Sequence, residues 1–117
     1  MKVVLDTSFI VACGQRKRDY LREIERTMGK VKFIVPSPVL RELEILKKGY
    51  VTLGRKILEM HGYEVEECRG GADDCVLEVA RRRGARVASF DAKLKRRARE
   101  MGLKVIVVRK GAYVMED

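Results

Sequence analysis

Val3-Val4-Leu5-Asp6-Thr7-Ser8 decides how the rest of the chain is read. Three apolar, largely β-branched residues in a row, with no polar alternation, describe a strand buried on both faces, as in parallel sheets covered by helices. The run ends at a carboxylic acid followed by two hydroxyl residues, so the strand terminates in reactive groups. The pattern returns at Phe33-Ile34-Val35, at Arg86-Val87-Ala88-Ser89-Phe90-Asp91 and at Val105-Ile106-Val107-Val108, with a shorter strand expected around Tyr63 and Val65.

Helical patterns separate these runs. A short helix is predicted over 8–14, ending at Gly14, and a second over 17–28, where Tyr20, Leu21, Ile24 and Met28 share one face and Gly29 is the stop. Pro36-Ser37-Pro38 makes a sharp exit from the second strand, with Ser37 as N-cap and Pro38 at the first helical position. The helix that follows should bury Val39, Leu40, Leu43 and Leu46 and end at Gly49; the next covers 51–61 through Leu53, Ile57, Leu58 and Met60. Ala72, Cys75, Val76, Val79 and Ala80 form an amphipathic stripe stopped by Gly84. From Asp91 to about residue 101 a basic helix buries Leu94, Ala98 and Met101. The tail over 109–117 is expected to be irregular, with Tyr113-Val114-Met115 offering a few apolar contacts. Alternating strands and helices predict an α/β fold with a mostly parallel, about five-stranded sheet covered on both faces and joined by right-handed crossovers. At 117 residues the chain makes one domain, 1–117, without repeat or linker.

Composition narrows the partners. Hydrophobic content of 46% with 37% charged residues fits a globular protein, and no apolar stretch approaches the roughly 20 residues that span a bilayer. Met1-Lys2 leads straight into the first strand, so no signal peptide is read and a cytoplasmic protein is expected. Cys13, Cys68 and Cys75 are odd in number and lack C-x-x-C spacing, which predicts reduced thiols and neither a disulfide framework nor a zinc site. The net charge of +9 favours anionic partners. It is bunched at Arg16-Lys17-Arg18, Lys47-Lys48, Arg81-Arg82-Arg83 and Lys93 to Arg99, as contact with a phosphate backbone would require. Pairing of two copies would extend such a basic surface.

The acidic residues carry the chemistry. In an open α/β sheet the strand C-termini and following loops line one edge, where ligands bind. That edge would gather Asp6, Glu42, Asp73 and Asp91. Carboxylates brought together repel one another unless a cation lies between them, and an all-oxygen set suits Mg²⁺ or Mn²⁺. Each acid also has a plainer reading. Asp6 could cap the helix after it, Glu42 could pair with a nearby Arg or Lys, and Asp73 or Asp74 could serve a helix start, where the dipole favours negative charge. Asp91 could cap the basic helix. Asp73 is preferred as the ligand, with Asp74 supporting it; Ser8 or Thr7, and Ser89, would orient water or a carboxylate. His61, the sole histidine, reads as a helix C-terminal group rather than a base. Nucleophile-elbow, P-loop and dinucleotide-binding motifs are missing.

Four segments together resemble the PIN-domain nucleases: V-V-L-D-T-S at 3–8, S-P-V-L-R-E-L at 37–43, A-D-D-C-V-L-E-V-A at 72–80 and V-A-S-F-D-A-K-L-K-R-R at 87–97. A-D-D-C followed by F-D-A-K-L-K-R-R is similar in particular to Fcf1-type PIN domains of ribosomal RNA processing, and less closely to the PIN toxins of toxin–antitoxin pairs. The resemblance implies a three-layer α/β/α fold and an Mg²⁺- or Mn²⁺-dependent endoribonuclease, with Asp6, Glu42, Asp73 and Asp91 as the acidic site. It also implies RNA as substrate and a ribosome-assembly protein or an antitoxin as protein partner. The rival expectation is a non-catalytic RNA-binding module, in which the basic bunches carry the function.

Overall fold

The apolar runs form the strands expected of them. The computed structural model describes residues 1–109 and 113–116. In chain order these residues form β1 (Lys2–Leu5), α1 (Thr7–Gln15), α2 (Tyr20–Met28), β2 (Lys32–Pro36), α3 (Ser37–Ile45), α4 (Gly49–His61), β3 (Glu64–Glu66), α5 (Ala72–Arg83), β4 (Arg86–Ala88), α6 (Ala92–Glu100), β5 (Val105–Arg109) and β6 (Tyr113–Glu116). The sheet order is β3-β2-β1-β4-β5-β6, with β1 to β5 parallel and β6 antiparallel to β5. Val4 pairs with Ile34 on one side and Val87 on the other, so β1 is central. Val3, Val4 and Leu5 are all fully buried. Successive strand side chains point to opposite faces, so both faces of β1 are covered, as the unbroken apolar run requires.

Chain order runs outward in one direction from β1 through β2 to β3, and in the other from β4 to β5. The switch point therefore falls between β1 and β4, and a crevice forms beyond their C-terminal ends. Asp6 N–H donates to the Ala88 carbonyl at 3.0 Å, extending this pairing one residue past the end of β1.

Several expectations are corrected. The tail is not irregular where it is described: Arg109 closes β5, and Tyr113–Glu116 pairs with it through Val107↔Met115 and Val108↔Val114. Residues 110–112 and 117 lie outside the described residues. Two β-favouring runs separated by three residues that include glycine carry a hairpin signal, but the second run is too short to stand out. Leu46 is 44% exposed because α3 stops at Ile45 and leaves Leu46 in extended backbone. Leu53, Met60 and Met101 are also exposed; α4 turns Val51, Gly54 and Leu58 inward instead, and Met101 lies just past the end of α6. Gly49 begins α4 rather than ending α3. Ser37 is not a cap. Its hydroxyl accepts from the Cys68 N–H at 3.1 Å and is 3.3 Å from the Cys68 carbonyl, tying the loop before α5 to the end of β2.

Gly14 is not a helix stop but part of a helix–helix contact. A Cβ on Gly14 would sit 1.6 Å from the Tyr50 carbonyl oxygen, and one on Gly54 would sit 2.3 Å from that of Ile10. Helices α1 and α4 thus meet backbone to backbone, which only glycine permits. His61, at the end of α4, is 2.6 Å from Asp19 through Nε2 and 2.7 Å from Glu25 through Nδ1, locking α4 to α2. The expectation of reduced thiols fails for two residues: Cys68 and Cys75 form a disulfide across the Gly70-Gly71 loop. The seven-residue separation carries no motif, so only the folded loop shows that the two sulfurs meet.

Candidate active site

Asp6 is the first residue beyond β1 and is only 3% exposed. A buried carboxylate needs donors or a cation, and it finds two hydroxyls. Its Oδ2 accepts from Ser8 Oγ at 2.7 Å and from Ser89 Oγ at 2.8 Å. Ser8 Oγ in turn accepts from the Phe90 N–H at 3.0 Å, and Ser89 Oγ from the Asp91 N–H at 2.9 Å. A hydroxyl has one proton to give. Both serines give theirs to Asp6, so the 3.2 Å approach between them is contact enforced by the shared acceptor. The turn after β1 and the turn after β4 are thereby fastened together through one carboxylate oxygen.

The remaining acids arrive from three further elements. Asp91 caps α6, its Oδ1 accepting from Lys93 N–H at 2.9 Å and Leu94 N–H at 3.1 Å. The capping reading of Asp91 is therefore correct as far as it goes, but Oδ2 takes no hydrogen bond from the described residues. Asp73, in the first turn of α5, feels the charges of both Asp6 and Asp91. Asp74 beside it is turned away, with its side chain 73% exposed and its Oδ1 2.7 Å from Arg97 Nη2. Glu42, on α3, is exposed and accepts a hydrogen bond from the Thr7 hydroxyl, so it stands over the same turn that Asp6 begins. The structure thus brings Asp6, Asp73 and Asp91 into mutual electrostatic reach and links Glu42 to them through Thr7.

Electrostatics report strain in this group. Burial raises the Asp6 carboxyl above its ordinary range, the serine donors oppose that in part, and the Asp91 charge adds to it. Partial burial also raises Asp73, followed by repulsion from Asp6 and Asp91; Arg97 opposes this. No three acidic, histidine or cysteine groups among the described residues are close enough to grip one ion as they stand. Asp73 and Asp91 are both exposed, so Asp73 has room to change rotamer toward Asp6, whereas Asp91 would give up its two cap bonds at about 1 kcal/mol.

Three features of the site were not expected. Arg97 pairs with Asp74, which separates the two adjacent acids; their order in the sequence could not. Arg16 lies over the Phe90 ring at 4.4 Å, next to the Ser8–Phe90 hydrogen bond. The disulfide holds Cys75, two residues after Asp73, to the loop that enters α5.

Comparison with known proteins agrees with this architecture. The family described as PIN like domain matches residues 3–111. Ribonuclease VapC4 of Methanocaldococcus jannaschii is 30% identical over 96% of this chain and 93% of its own length. Ribonuclease VapC9 of Archaeoglobus fulgidus is 29% identical over 97% of this chain and 83% of its own. Among solved structures, the PIN domain endonuclease Utp24 superposes with a TM-score of 0.80 at 29% identity, covering 97% of this chain and 90% of that one. With a family match over nearly the whole chain, a full-length relative and the same switch-point architecture, this chain belongs to the PIN-like domain family.

Proposed function

We propose that the protein is a divalent-metal-dependent endoribonuclease whose active site is Asp6, Glu42, Asp73 and Asp91. The observation that carries this reading is the convergence of Asp6, Asp73 and Asp91 at the switch point, where burial and then the charges of Asp6 and Asp91 raise Asp73, burial and the Asp91 charge raise Asp6, and no basic side chain among the described residues pairs with Asp6. Oxygen-only donors in such a group fit Mg²⁺ or Mn²⁺. Asp6 and Asp73 hold the ion, while Asp91 and Glu42 complete its surroundings or position the attacking water. When bound, the ion supplies a lowered pKa for that water and offsets charge developing on the phosphate. Ser8 and Ser89 fix the Asp6 carboxylate through its Oδ2. Asp74 acts through Arg97, keeping a guanidinium beside the acids where a phosphate oxygen would arrive.

From the resemblance of A-D-D-C at 72–75 and F-D-A-K-L-K-R-R at 90–97 to Fcf1-type PIN domains we infer a role in ribosomal RNA processing in the cytoplasm, with ribosome-assembly partners; the likeness to the PIN domain endonuclease Utp24 supports the endonuclease part of that reading. The two ribonuclease relatives named VapC favour a second reading, a toxin held by an antitoxin. Growth arrest on expression, relieved by a small protein encoded next to it, would select the toxin role.

The test of the activity is cleavage of end-labelled structured and single-stranded RNA with Mn²⁺, beside Asp6→Asn protein and an EDTA control. Cutting that needs the metal and disappears in the variant is expected. Cutting by Asp6→Asn at the wild-type rate would overturn the site, and RNA binding without cutting would leave an RNA-binding module.

A further inference from the structure

The positive charge of this chain is unevenly spent. Arg81 faces Glu78 at 2.8 Å, Arg82 and Arg83 face Glu66 at 3.0 and 2.7 Å, and Arg26 faces Glu23 at 3.3 Å. Those cations are largely neutralised where they stand. Helix α6 is different: it carries Lys93, Lys95, Arg96, Arg97 and Arg99 against Glu100, five positive charges less one negative, or +4. Arg97 is committed to Asp74. Lys95, Arg96 and, from β5, Arg109 have no ion-pair partner among the described residues.

These three, with Arg99, wall a groove of about 530 Å³ between α6 and β5, lined on its apolar side by Val107 and Val108. Among the described residues the lining includes no acid, no aromatic ring and no amide or hydroxyl side chain. Cations gathered in one cleft focus a positive field and draw in polyanions. The described lining, Ala92, Val107 and Val108 beside the cations, offers bases no ring to stack on, unlike single-strand binding surfaces. What remains is recognition of phosphates, which suits an RNA whose bases are already paired and whose backbone is presented in a regular shape. The groove also has a direction. Ala92 lines its end, and the preceding residue is Asp91 of the carboxylate group.

We propose that the α6–β5 groove is a phosphate-backbone subsite for a base-paired RNA stem, and that it leads the strand into the carboxylate cluster. This subsite rests on the ribonuclease reading for its substrate. Lys95, Arg96 and Arg109 bind the backbone without reading sequence, and they set the distance between the stem and the bond that is cut.

Binding of a labelled RNA hairpin, measured in EDTA so that no cleavage intervenes, tests the proposal. Wild-type protein is compared with Lys95→Ala/Arg96→Ala/Arg109→Ala and with a charge-matched control, Arg26→Ala/Arg81→Ala/Arg82→Ala, after circular dichroism melting shows that both variants fold. The groove variant should bind on the order of 10- to 100-fold more weakly, with its salt slope lower by about 2 to 3 between roughly 50 and 200 mM salt. The control should stay within about threefold, and the hairpin should bind at least as tightly as an unpaired strand of equal length. Equal losses in the two variants would reduce the effect to net charge and overturn the subsite. Binding at least tenfold tighter to unpaired RNA would overturn the stem assignment. Cleavage is scored separately with Mn²⁺: a wild type that binds through the groove but never cuts sinks the nuclease reading and leaves the groove standing, whereas a groove variant with unchanged affinity sinks the groove alone.

Discussion

Ser89 joins two turns through one oxygen, giving its proton to Asp6 and accepting from the Asp91 N–H. Ser89→Ala removes both bonds, leaving Asp6 with the Ser8 donor alone and the Asp91 N–H without its acceptor, and a buried group left unpaired costs about 1–3 kcal/mol. A loss of about 1–3 kcal/mol in urea unfolding is expected, with weaker RNA cleavage because the Asp6 carboxylate loses one of the two hydroxyls that orient it. A change below about 0.5 kcal/mol would show that the network contributes little. Cysteine chemistry gives a second residue-scale expectation. Burial pushes the Cys13 thiol up to about 11 from 9.0. The native state thus holds a proton that the unfolded chain loses first, so this stabilising contribution is complete below pH 9.0 and disappears as pH rises toward about 11. Cys68 and Cys75 are spent on the disulfide. A thiol reagent at pH 8 should therefore find no reactive thiol in the native protein, one after unfolding and three after unfolding with reductant. Rapid labelling of two thiols in the native state would refute the disulfide.

Two helices decide whether this site keeps its shape. Helix α1 starts immediately after Asp6 and carries Thr7 and Ser8, so any shift of α1 against α4 reaches the carboxylates. Gly14 and Gly54 allow the close approach, and a methyl group at either would overlap a carbonyl of the opposite helix. Gly14→Ala or Gly54→Ala should cost about 1–3 kcal/mol or more, lower the thermal midpoint and weaken cleavage. Gly49 provides the comparison, because nothing lies within 4 Å of a Cβ there and it opens α4. Gly49→Ala should be stabilising by about 0.4–1 kcal/mol through the unfolded chain. If all three substitutions behave alike, the helix contact does not govern stability. The contrast also marks what a sequence displays at this scale. The apolar stripes of α5 and α6 are visible because each helix needs a face to bury, and Gly84 ends α5 in the left-handed conformation that glycine favours. Gly14 looks like the same kind of stop; its partner is forty residues away, and nothing local distinguishes a helix end from a close crossing.

Taken as one molecule, the chain shows its sheet because parallel strands are buried on both faces and so read as unbroken apolar runs. It shows Asp6 and Asp91 because they stand just after such runs, while Glu42 and Asp73 lie on the helices α3 and α5. The pairing of β6 with β5, the disulfide and the Arg97–Asp74 bond depend on folded proximity and leave no periodic trace. The whole fold nevertheless responds to the acids, since stability of a small domain is a single cooperative quantity. The carboxyls of Asp6 and Asp73 are raised above 3.8 by burial and by neighbouring charges. A raised acid keeps its proton better when folded, so its contribution is favourable below pH 3.8 and is lost as pH rises toward the raised value; at neutral pH the metal-free fold bears the full cost. An ion bound only by the native state offsets it by about 2.7 kcal/mol at a concentration some hundred times its Kd, which corresponds to a rise in midpoint on the order of 10 °C for a domain of this size. Calorimetry at pH 7 should show that rise when Mn²⁺ is added to wild-type protein and its reversal by EDTA. In Asp6→Asn the metal-free fold no longer buries this charge, so its midpoint should stay close to the wild-type value, and the response to Mn²⁺ should largely vanish. Equal Mn²⁺ stabilisation of both proteins would place the ion elsewhere and remove Asp6 from its coordination.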